Sequence, residues 1–235
     1  MKRLLTAMVA ALMVVGLSAS AVLAKDTSNL IGGQWKVYNG QPATSSFWNI
    51  NKAVAGTSSQ SFPVQQFLTK SSGSFAIYLE NNYNVPITDK TLTATANWTL
   101  GTYETRSTVF PGAYGRIWFQ DVASGTYTSN DYWWYSTSAL DLNNTTFGTV
   151  TAPLTDRANW TNVCGQVATD TTPHPGANCV GGTDPAVSPS DGFTHAMANV
   201  KQVGLSFGSL GSYASGIALD GRLGTFTMTS FTVTP

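Results

Sequence analysis

Charge is scarce in this chain. Asp, Glu, Lys and Arg make up 10% of its 235 residues, against a typical ~25%. Apart from Lys2 and Arg3 the basic residues are scattered singly, and a nucleic-acid partner would need them clustered to neutralise phosphates. Nucleic acid is therefore not an expected partner. Histidine is nearly absent, with only His174 and His195, and neither lies beside a Gly-x-Ser-x-Gly signature or other nucleophile motif. There are two glutamates, Glu80 and Glu104, far apart in sequence. An acid/base pair of carboxyls, as glycoside hydrolysis requires, is not visible, although folding could bring two together. No catalytic residue and no metal ligand is assigned.

Long apolar runs are also rare. One stands at the N-terminus, from Leu4 to Leu17, behind the basic pair Lys2 and Arg3. Small residues follow, and Val22-Leu23-Ala24 closes the segment in a form that suits signal peptidase, with Ala19-Ser20-Ala21 as a second cleavage site. A membrane anchor is the alternative. A spanning helix wants roughly 20 apolar residues, and this run is shorter with no positive stop beyond it. Residues 1–24 are expected to be a signal peptide and 25–235 a single secreted or periplasmic domain, with no membrane insertion after cleavage. Losing Lys2 and Arg3 leaves ten basic against twelve acidic residues.

Cysteine occurs twice, as Cys164 and Cys179. An even count in an oxidising compartment favours a disulfide, which would stabilise the fold by roughly 3 kcal/mol in the chain-entropy model. A zinc site built on this pair and His174 would lack its further ligands.

In place of charge the chain carries Ser, Thr, Asn and Gly, and aromatic residues reach 11%. Short runs rich in Thr, Val, Tyr, Phe and Trp alternate with Gly and Asn turns, the pattern of antiparallel strands. Expected strands are Gln34–Asn39, Ser46–Asn51, Pro63–Leu68, Phe75–Glu80, Lys90–Leu100 and Gly115–Gln120. Others are Asp131–Thr137, Phe147–Ala152, Gln202–Phe207, Ser215–Leu219 and Gly224–Thr234. From Leu92 to Trp98 the even positions are apolar and the odd ones polar. In the last run the apolar phase switches between Met228 and Phe231, which predicts a bulge near Ser230. Thr194–Asn199, after Ser190-Asp191-Gly192, predicts a short helix. Leu154–Val163 predicts a turn with Trp160 buried. The absence of βαβ alternation points to an all-β, two-sheet antiparallel β-sandwich with one or two short helices.

Three stretches together resemble the jelly-roll sandwiches of secreted carbohydrate-binding modules and galactose-binding-like domains. They are Gly115–Asp121 feeding Asp131–Ser136; Leu140–Leu142 with Phe147–Leu154 and Asn159-Trp160; and Val200–Gly208 with Ser215–Asp220 and the closing strand to Val233. The segment from Val163 to Asp191 and the two cysteines depart from that pattern. The resemblance implies a jelly-roll sandwich that recognises polysaccharide or glycan. It also implies that Asp220, otherwise a turn aspartate, could help hold a structural calcium; no other cofactor is expected.

Sugars stack their apolar C–H faces on exposed rings and bond to neutral or acidic polar groups. In a strand, Arg116, Trp118 and Gln120 share one face, opposite Ile117 and Phe119. Tyr132 shares a side with Trp134, and Trp133 shares the other with Tyr135, so one tryptophan belongs to the core and one to the outer face. Trp118, Arg116, Gln120, Trp134 and Tyr132 are the expected ligand-binding residues, each with a packing role as its alternative. Trp35, Trp48 and Trp98 read as structural. Non-catalytic glycan binding is thus the leading expectation. A structural or assembly protein of the envelope or matrix, with self-association, and a polysaccharide hydrolase or lyase are the alternatives.

Overall fold

The computed structural model describes residues 35–40, 54–55, 61–63, 75–105, 110–121, 133–173, 187–219 and 225–235. Two antiparallel sheets form a jelly-roll-type β-sandwich. The smaller sheet runs in the order β10 (Phe147–Pro153), β5 (Thr91–Trp98), β14 (Thr225–Thr234), β3 (Ser61–Pro63). The larger follows the path β11 (Trp160–Asn162), β8 (Trp133–Ser136), β7 (Tyr114–Gln120), β12 (Gln202–Gly208), β4 (Phe75–Asn82), β1 (Trp35–Gly40), β2 (Val54–Ala55). Three short strands attach beside that path. They are β6 (Tyr103–Thr105), β9 (Leu140–Asp141) and β13 (Ile217–Leu219), with β13 joining β6 to β4 and β9 pairing with β7.

The alternation read along β5 holds: Leu92, Ala94, Ala96 and Trp98 are buried and their neighbours are not. On β14 the register to β5 shifts between Met228 and Ser230, so Phe226, Met228, Phe231 and Val233 all reach the core despite their change of phase. Facing them from the larger sheet are Leu79, Ile117, Phe119, Trp134, Val203, Leu205 and Phe207. Trp98 stacks on Phe226 with ring centroids 5.8 Å apart, and its indole N–H donates to the Leu142 carbonyl at 3.1 Å. Trp35 meets Phe231 edge-on at 5.3 Å.

A helix, α1, closes the core beside β7, β8 and β11. It spans Pro189–Ala198 and so starts earlier than the Thr194 expected from sequence. Ser188 is the reason: its hydroxyl caps the first turn by accepting from the Asp191 N–H at 3.2 Å and donating to the Asp191 carboxylate at 2.8 Å. Pro189 takes the first helical position, where a missing N–H costs nothing. Phe193 then inserts between Phe119, Trp134 and Trp160 at centroid distances of 5.5, 5.0 and 5.8 Å.

Trp160 is buried as expected, but in a strand rather than a turn; the turn is the 3-10 segment Arg157–Asn159 before it. The strand expected at Ser46–Asn51 and the residues 64–68 lie outside the described residues.

Candidate functional site

The outer face of the larger sheet carries its own aromatic layer. Tyr78 from β4, Trp118 from β7, and Trp133 and Tyr135 from β8 pack together there, with Tyr213 against one flank. Trp118 lies edge-on to Tyr78 at 5.3 Å and tilted to Trp133 at 5.4 Å. Trp133 stacks at 6.0 Å and 21° on Tyr135.

Gly204 makes this layer fit. It stands between Glu80 and Trp118 in register, and the Trp118 indole crosses it to donate its N–H to the Leu79 carbonyl at 3.1 Å. A Cβ at Gly204 would come within 1.9 Å of that carbonyl oxygen and 3.0 Å of the indole nitrogen.

Register sets Asn82, Gln202, Gln120 and Trp133 side by side across four strands, β4, β12, β7 and β8. Asn82 is exposed, and the other three are half-buried. The Gln202 amide donates to the Asn82 side-chain oxygen at 3.4 Å. Three amide side chains and an indole, each at least partly exposed, thus stand in one row, without a formal charge among them.

The expected site residues divide. Gln120 is half-buried in the row. Trp118 is fully buried and forms the floor beneath Trp133 rather than a platform. Trp134 faces inward among Phe119 and Phe193, because register pairs it with Phe119, an inner-face residue. Trp133, its neighbour, is the tryptophan that reaches the outer surface. Tyr132 lies outside the described residues, as do Trp48, His174, Cys179 and Asp220.

Arg116 is also withdrawn from solvent. Its guanidinium carbon sits 4.9 Å from the Tyr114 ring centre and 4.6 Å from that of Tyr213, and Nη1 donates to the Ser209 carbonyl at 3.1 Å. Burial lowers its pKa to about 10, against the opposing influence of Tyr213 and Tyr114. It braces the aromatic layer and offers no open fork to a ligand. The Tyr135 hydroxyl is buried without a hydrogen-bond partner among the described residues, and burial, then Tyr78, pushes its pKa well above the usual phenol value.

Glu80 and Glu104 do not make a glycosidase pair. Glu80 is on β4, while Glu104 on β6 opposes Ala218 of β13, and the next residue, Ile217, opposes Ala76 of β4. The register offset separates the two by roughly 17 Å along the strands, beyond the spacing either glycosidase mechanism uses. His195 places Nδ1 3.3 Å from the buried Asp121 carboxylate. No group of acidic, histidine or cysteine side chains suited to a metal is present among the described residues. No described helix is long and apolar enough to cross a membrane. Cys164 lies in the turn after β11, its N–H held by the Asn162 side chain at 3.0 Å, and no free cysteine occurs among the described residues.

No family model matches this chain. No curated protein sequence matches it either. Among solved structures, the xylan-binding module CBM15 is similar at 14% identity and a TM-score of 0.33, over 88% of this chain and 95% of that one.

Proposed function

We propose that the mature domain is a secreted or periplasmic, non-catalytic carbohydrate-binding protein that receives polysaccharide or glycan on the row Asn82, Gln202, Gln120 and Trp133. One observation supports this reading above the rest: a half-exposed indole, backed by Tyr135 and Trp118, stands at the end of a ladder of uncharged amides. An indole face takes the C–H side of a pyranose, and amides donate to and accept from its hydroxyls. A regular sheet holds these groups at fixed spacing, which reduces the ordering cost of binding.

The test is titration of the mature protein with oligosaccharides from a broad panel, followed by tryptophan emission and calorimetry. Trp133→Ala is expected to weaken binding at least tenfold while leaving the thermal midpoint within a few degrees. A panel with no responding glycan, or an unchanged affinity in the variant, would refute this site. Export is checked separately, by sequencing the N-terminus of the released protein, which is expected to begin at Lys25.

A further inference from the structure

The smaller sheet ends differently from the larger one. On the larger sheet, β2 is two residues long, and β11 is bridged on its outer side by Val167 opposite Thr161. On the smaller sheet, β3 is three residues long and ends in Pro63. The strand β10 is the exception. It has seven residues, Phe147–Pro153, pairs with β5 on one side, and is the terminal strand of its sheet among the described residues.

Proteins blunt open strand edges with charge, bulges, proline or extreme shortness, because unpaired N–H and C=O groups template another strand. In β10 there is no charged residue, its register to β5 runs unbroken, and its proline is confined to the last position. Its outward side chains are Thr149 and Thr151, both exposed, and Phe147, which is 60% exposed. That is a large apolar group left in water at an open edge.

We propose that β10 is an interface for a second copy of this chain, pairing antiparallel with its counterpart about a two-fold axis at Val150. The occupant follows from the sequence of the strand itself. In that register Thr149 opposes the partner's Thr151, Gly148 the partner's Ala152, and Phe147 the partner's Pro153. Each is a compatible pair, and the two ends of the strand cover each other's apolar residue. The outward threonines would also continue a ladder already present within the chain, where Thr95 bonds Thr149 at 3.0 Å and Thr93 bonds Thr151 at 3.3 Å. Such cross-strand threonine pairs stabilise sheets, and two four-stranded sheets would become one of eight strands. An isologous contact of this kind closes on itself and stops at the dimer. The aromatic row lies on the other sheet and remains open.

A contact made through one seven-residue strand is expected to bury less than the roughly 1,200 Å² of a standard interface, so the dimer should appear only at high protein concentration. Sedimentation velocity of the mature protein across a wide concentration range is expected to show a monomer shifting to a dimer. The variant T149K/T151K brings like charges face to face across the two-fold and is expected to remain monomeric, with an unchanged far-UV spectrum. Amide exchange gives a second readout that needs no variant: residues 147–153 should exchange more slowly in concentrated than in dilute wild-type protein. A wild type monomeric throughout with concentration-independent exchange, or a dimer that persists in the folded lysine variant, would overturn the proposal.

Discussion

At the residue scale, Gly204 decides more than any aromatic side chain. It is the glycine of the Val200-Lys-Gln-Val-Gly-Leu run, and its missing Cβ is the space in which the Trp118 indole reaches Leu79. Gly204→Ala drives a methyl into a backbone oxygen, so neither rotamer change nor solvent can absorb it. Overpacking of that kind costs about 1–3 kcal/mol or more. Urea denaturation is expected to show at least that loss, with weaker glycan binding as Trp133 loses its floor. Full stability in the alanine variant would contradict this account. Which of Trp133 and Trp134 faces out was not legible from sequence. Alternation placed them on opposite faces, but the choice was made by the pairing of Trp134 with Phe119 and by Phe193 arriving from a distant helix. The burial of Arg116 was not legible for a related reason: Tyr213, one of the two rings enclosing it, comes from a remote turn.

At the element scale, strands with one dry face were the most readable. Strand β5 announced its inner face through strict alternation, and the phase switch in β14 announced its bulge. The strands that escaped notice, β2, β6, β9 and β11, have two or three residues, too few to show a period of two. The sequence places the start of α1 late because Ser190-Asp191-Gly192 reads as its N-terminal signal, whereas these residues lie inside the helix, behind the Ser188 cap. The helix earns its place through one ring. Phe193→Ala would leave a void among Phe119, Trp134 and Trp160, and deleting a buried phenylalanine side chain costs about 3–5 kcal/mol. Chemical denaturation should register that loss. A value below 1 kcal/mol would mean that α1 does not close the core.

At the scale of the whole molecule, low charge sets the expected solution behaviour. The amide row and Trp133 carry no formal charge, and the guanidinium of Arg116 is enclosed by rings. Exposed charge interactions weaken as salt shortens the Debye length, from roughly 14 Å at about 0.05 M to roughly 4 Å at about 0.5 M NaCl, so glycan affinity across that range is expected to change less than about twofold. A steep decline would point to an acidic ligand held by groups outside the row. The sandwich itself was legible in the balance of turns and strands. The proposed binding face was legible only in its ingredients, because a surface is assembled from strands far apart in sequence.

The stack behind Trp133 has one more consequence. An indole resting on Tyr135 and braced by Trp118 has its plane fixed before any ligand arrives. As the proposed platform, such a ring tolerates only what can lie level upon it. Pyranose rings whose substituents are all equatorial could settle onto it, while a single axial hydroxyl on the contacting side would prop the sugar away from the ring.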